Sequence, residues 1–144
     1  MTRPAGVLLM TYGSPSSPDD VERYITAVRG GRTPDPELVA EFRRRYEVIG
    51  GSPLIPITVR QAAAVEAALG DGTFVRAAMR FSEPSLSAVL GELADCGVER
   101  VAAIVLSPQY SPLLMGGYGR DLELARASLR DATQAVRIAG AWHR

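Results

Sequence analysis

Short, uninterrupted apolar runs alternate with helical periodicities along this chain, and that alternation restricts its fold more than any other feature. Gly6 to Thr11 is continuously apolar, which suits a parallel strand covered on both faces better than a half-exposed hairpin strand. Thr73 to Met79, Val101 to Leu106 and Val136 to Trp142 read as further strands. Ser17-Pro18-Asp19-Asp20 supplies a capping hydroxyl, a proline suited to the first helical position and two carboxylates at the positive end of a helix dipole. Val21, Tyr24, Ile25 and Val28 then repeat with helical spacing until Gly30-Gly31. Pro36 opens a second helix whose stripe is Leu38, Val39, Phe42, Tyr46 and Ile49. A third helix is expected from about Thr58 to Leu69, a fourth capped by Ser85 and closed by Gly97, and a fifth from about Gly119 to Leu129. Strands alternating with helices predict an α/β fold with a doubly wound parallel sheet in three layers.

With 144 residues the chain is one domain by length, large enough to bury a single core. Basic and acidic residues number 16 each, so no net field recruits nucleic acid or an anionic membrane surface. Every basic residue is Arg and none is Lys, which excludes a Walker A lysine and a Schiff base to a carbonyl or pyridoxal cofactor. The lone histidine, His143, leaves no basis for a His-based zinc site or a Ser-His-Asp triad within one copy. A single cysteine, Cys96, cannot form an intrachain disulfide and is expected as a buried packing residue at a helix end. No signal-peptide pattern opens the sequence and no apolar run is long enough to span a bilayer, so a cytoplasmic location is expected.

In an open α/β sheet, ligands bind beyond the carboxyl ends of the strands. Tyr12-Gly13 and Ser107-Pro108-Gln109-Tyr110 both leave strands there and are expected on one rim. Successive helical residues turn by about 100°. Arg44 therefore lies opposite the apolar stripe, Arg43 to one side, and Arg45 beside the buried face, best placed to reach a cleft. Arg29 sits at a helix end, where it either meets an anion or compensates the negative end of the dipole. Ser52 follows two glycines, so its hydroxyl and nearby amides either approach an anion or make a structural turn. Gly116-Gly117-Tyr118-Gly119 lacks nucleotide-binding spacing, and Tyr118 reads most simply as a boundary aromatic with a wet hydroxyl.

Leu8-Leu9-Met10-Thr11-Tyr12-Gly13-Ser14-Pro15, then Tyr46-Glu47-Val48-Ile49-Gly50-Gly51-Ser52-Pro53-Leu54-Ile55-Pro56, then Ser107-Pro108-Gln109-Tyr110-Ser111 occur in this order. Together they make the chain closely resemble the amino-terminal half of a ferrochelatase, and the Tyr12-Gly13 pair is similar to the branch that inserts iron into coproporphyrin. The resemblance implies an amino-terminal chelatase-like domain over residues 1–144, with the family's second domain as an expected partner outside the chain. It implies insertion of Fe2+ into coproporphyrin III in haem biosynthesis, in a cleft between two similar α/β domains, with release of two pyrrole protons. Tyr12 resembles a tyrosine on the proximal porphyrin face that can ligate product iron. Arg29, Arg45, Ser52 and Tyr118 resemble residues that bind porphyrin propionates, a task for which guanidinium is suited by its paired donors. The family's catalytic His and its acidic partner belong to the second half, so no catalytic residue is assigned here and that role is not transferred to His143. Some relatives carry an iron–sulfur cluster on later cysteines; Cys96 does not match those positions, and no cofactor is expected in this chain. Two other readings stay open: a half-length chelatase pairing two copies around one tetrapyrrole, and a noncatalytic tetrapyrrole-binding module.

Overall fold

The computed structural model describes residues 3–107, 111–130 and 133–140. The elements run β1 (Ala5–Thr11), α1 (Val21–Val28), α2 (Pro36–Ile49), α3 (Leu54–Leu69), β2 (Thr73–Met79), α4 (Leu86–Asp95), β3 (Arg100–Val105), α5 (Pro112–Ala127) and β4 (Ala135–Ile138). The four strands form one sheet in the order β2-β1-β3-β4, every pair parallel. The α/β architecture expected from the alternation is therefore the one observed. Because β1 lies centrally, the chain leaves it toward one side to reach β2 and returns across it to β3. Tyr12 and Leu106 thus leave adjacent strand ends at the point where the winding reverses, the usual ligand crevice of such sheets.

Side-chain alternation divides the core. Leu8, Met10, Ala78, Val101, Ala103 and Val105 face α4 and α5, where Leu90, Leu93, Tyr118 and Leu122 cover them. Leu9, Val75, Ala77 and Met79 face the other way, onto Ala62 of α3. Val21, Ile25 and Val39 make a smaller core between α1 and α2.

Several boundaries differ from the sequence reading. α3 begins at Leu54, four residues before the expected Thr58, because Ser52 Oγ accepts the Leu54 amide at 3.3 Å and starts the turn there. α5 begins at Pro112 rather than near Gly119, capped by Ser111 Oγ on the Leu114 amide at 3.1 Å. The run Gly116 to Gly119 is consequently helix; Pro112 and the Ser111 cap outweigh the low helix propensity of glycine. Ser17 and Ser85 precede helical turns but make no side-chain cap bond. Instead Asp20 Oδ2 accepts the Ser16 amide and Glu83 Oε2 the Ser85 amide. Cys96 is exposed, a correction to its expected burial, since the helix ends there and Val98, two residues on, turns inward instead.

Candidate ligand-binding site

The loop after β1 turns at Gly13, whose φ of 87° requires glycine. Space forbids a side chain there as well: a Cβ would stand 2.6 Å from Ser82 Oγ. Ser82 Oγ donates to the Ser14 carbonyl at 2.7 Å, and Tyr24 Oη donates to the Gly13 carbonyl at 3.0 Å. The loop is thereby held against both the end of β2 and α1. Opposite it, α2 ends in a left-handed Gly50 with φ 71°, and Gly51 follows at φ 92°. A Cβ at either would meet nothing within 4 Å, so backbone conformation, and not crowding, calls for glycine there. The axes of α2 and α3 bend by 58° at this break, and no single helix among the described residues is long and apolar enough to cross a membrane.

Between these two loops lies a cavity of about 850 Å3, bordered by Ser14 to Pro18 on one side and by Tyr46, Glu47 and Ile49 to Pro53 on the other. The amino end of α3 also borders it through Ile55 and Pro56, which turns the positive end of that helix dipole toward it. Ser52 uses an oxygen lone pair on the Leu54 amide, which leaves its hydroxyl proton to donate to an incoming acceptor. Burial pushes the Tyr46 phenol up, so it stays a neutral donor. A second cavity of about 480 Å3 adjoins the first through Ser14, Ser16 and Ile55 and is bordered by Arg23, Arg80 and Phe81.

The sequence-derived site residues fall into three groups. Ser52 borders the large cavity. Tyr12 and Tyr118 meet in an aromatic cluster, centroids 5.8 Å apart, where Phe81 also stands edge-on to Tyr12 at 5.1 Å. Tyr118 is only 2 % exposed, a correction to the expected wet boundary position; it faces the sheet from inside α5, and burial raises its phenol above the ordinary value. Arg29 and Arg45 border neither cavity. Arg29 is exposed, with its own carbonyl accepting Arg32 Nε at 3.1 Å. Arg45 Nε meets Glu41 at 2.8 Å, and its side chain is 63 % exposed against 64 % for Arg44. The expectation that Arg45 borders a buried face is therefore not met. The more enclosed member of the triplet is Arg43, whose Nε donates to the Pro18 carbonyl at the cavity edge.

Sequence reasoning passed over Arg80. It directly follows β2, its side chain is 13 % exposed, and it pairs with Asp121 of α5. The available signal was an arginine directly after a buried strand, at the end where ligands gather. His143 and Pro108 to Tyr110 lie outside the described residues. Among the described residues no three His, Cys, Asp or Glu side chains cluster closely enough to hold a metal ion.

A doubly wound parallel sheet with a roomy cavity beside the loop that leaves its central strand is the architecture of a ligand-binding α/β domain. The family model described as Ferrochelatase matches residues 4–144, and the chain belongs to that family. It is 36 % identical over 126 residues to a coproporphyrin III ferrochelatase of Listeria monocytogenes, covering 83 % of this chain and 41 % of that protein. A coproporphyrin III ferrochelatase 1 of Bacillus anthracis is 36 % identical over 132 residues, covering 87 % of this chain and 42 % of its own length. A ferrochelatase of Herpetosiphon aurantiacus is 35 % identical over 130 residues, with 87 % and 43 % covered. The chain thus spans about two fifths of the length of these relatives.

Proposed function

We propose that this chain supplies the porphyrin-binding half of a coproporphyrin ferrochelatase, which inserts ferrous iron into coproporphyrin III during haem biosynthesis. The observation that carries the reading is the 850 Å3 cavity between the Ser14 to Pro18 segment and the glycine loop, in a chain whose relatives include coproporphyrin III ferrochelatases. A porphyrin is a broad apolar plate with carboxylates on its edge. The prolines and isoleucines of the cavity suit the plate, while the Ser52 hydroxyl and the α3 dipole suit a carboxylate.

In this reading Tyr12, half-buried at the end of β1, is the candidate oxygen ligand of product iron. Arg29 and Arg45 are propionate contacts; as surface guanidiniums they reach the outer edge of a ligand rather than its centre. Iron enters as a substrate, and accepting the two pyrrole protons falls to a second domain. We assign the reaction to the cytoplasm, because a chain with the single cysteine Cys96 suits a reducing compartment.

Titration of the purified chain with coproporphyrin III, followed by Soret absorbance, tests the proposal. Saturable binding that weakens about twofold to tenfold in Ser52→Ala, the range of a net hydrogen bond, is expected. Coproporphyrin III tetramethyl ester should bind more weakly than the acid. Failure of the wild-type chain to bind, or equal binding of acid and ester, would overturn the reading.

A further inference from the structure

We propose that Arg80 is a positioning residue that sets the Tyr12 ring on the ligand-facing rim, an inference that rests on the function proposed above. Tyr12 is gripped from its backbone, its edge and its face by two consecutive residues. The Phe81 amide donates to the Tyr12 carbonyl at 3.0 Å, and the Arg80 amide donates to the Thr11 carbonyl at 2.9 Å, continuing the ladder between β1 and β2 past their ends. The Phe81 ring meets the Tyr12 ring at 89°. The Arg80 guanidinium then lies over three rings at once, 4.7 Å from the Phe81 centroid, 5.5 Å from Tyr118 and 5.7 Å from Tyr12, all within cation–π range.

A guanidinium so enclosed has lost most of its water, which is unfavourable unless other groups replace it. Asp121 supplies the countercharge from α5 and the three rings supply their negative faces. Gly117, one helical turn before Asp121, makes the room: a Cβ there would stand 2.5 Å from Arg80 Nη1. One cation therefore joins the end of β1, the end of β2 and α5. Arg80 also borders the second cavity, behind the rim that Ser14 shares with the first. With Asp121 fixing the guanidinium, rotation of the Tyr12 side chain away from the rim forfeits the cation–π contact. Arg80 acts on a bound ligand through Tyr12.

A double-mutant cycle decides the matter, using the chain, iron(III) coproporphyrin III as probe, and both affinity and absorption spectrum as readouts. Arg80→Met and Asp121→Asn should each weaken binding about twofold to thirtyfold, the range a cation–π contact supplies, and shift the bound spectrum toward that of Tyr12→Phe. Arg80→Lys, which keeps the charge without the planar fork, should restore part of the loss. In a Tyr12→Leu background Arg80→Met should add no further loss. A wild-type spectrum and affinity in both Arg80→Met and Asp121→Asn would overturn the inference, as would an undiminished Arg80→Met effect in the Tyr12→Leu background, which marks direct contact with the ligand. A wild-type chain that binds no probe overturns the function proposed above and this role with it. Melting curves identify any variant that has lost its fold, and Asp121→Asn, which keeps the Arg80 charge but removes its anchor, then supplies the decisive comparison.

Discussion

The Tyr24 hydroxyl donates to the Gly13 carbonyl at 3.0 Å, tying the middle of α1 to the turn that leaves the central strand. Burial raises the Tyr24 phenol to about 12, so the donor keeps its proton across the physiological range. This bond couples the position of α1 to the cavity wall, because Ser14 to Pro18 follow directly from Gly13.

Tyr24→Phe should destabilise the chain by about 1 kcal/mol, since it removes the donor and leaves the carbonyl to water. The sign of its alkaline behaviour is also set. An unfolded phenol ionises near 10 while the folded one stays protonated to about 12, so this group's contribution to stability is lost as pH rises through that interval. Urea unfolding at pH 8 and pH 11 should show a smaller alkaline loss in Tyr24→Phe than in the wild type.

Gly13→Ala should be much more damaging. It forces an L residue to φ 87° and drives a methyl to 2.6 Å from Ser82 Oγ, which itself holds the Ser14 carbonyl. Left-handed strain of about 1–2 kcal/mol adds to overpacking of about 1–3 kcal/mol. A thermal melt should fall by several degrees or more, whereas Gly51→Ala, with open space around it, should show the backbone term alone.

Acid should loosen the base of α1. The Arg23 guanidinium beside Asp20 holds its carboxyl down at about 2, with the Ser16 amide assisting. A depressed carboxylate stabilises the folded state above its unfolded value near 3.8, and that stability is lost as pH falls toward 2. After screening at this partly exposed pair, the contribution is on the order of 1 kcal/mol. Asp20→Asn should remove about that much at pH 7 and flatten the acid limb of the stability curve.

Glu47 borders the large cavity, where its charge would oppose the acidic ligand proposed above. Glu47→Gln should tighten coproporphyrin III binding by about twofold to fivefold at low salt, the scale of a solvent-screened charge pair, and the gain should shrink as ionic strength rises. Parallel titrations at low and high sodium chloride would measure both effects.

The apolar runs and glycine stops were legible because they report local physics. A continuous hydrophobic stretch needs cover on both faces, and a left-handed residue after α2 needs glycine, whatever else the chain does. Thr73 to Met79 and Pro36 to Ile49 accordingly have the expected ends. α5 starts at Pro112, before the expected Gly119, because the burial of Tyr118 and Leu122 against the sheet favours helix through the glycines of low propensity. Helical phase likewise set Arg45 beside the buried face, but α2 buries only Val39 fully and leaves Arg44, Arg45 and Glu47 to Ile49 exposed.

The order of strands and helices, the glycine turns and the two loops of the rim follow from the sequence by itself, since each depends on residues within a few positions of one another. Tertiary structure alone decided which of the many arginines is enclosed. Arg80, Tyr12, Tyr118 and Asp121 come from two adjacent strand ends and one helix, and only the β2-β1-β3 order brings them together. Burial of a charge depends on what the rest of the fold sets around it, and no local pattern encodes that.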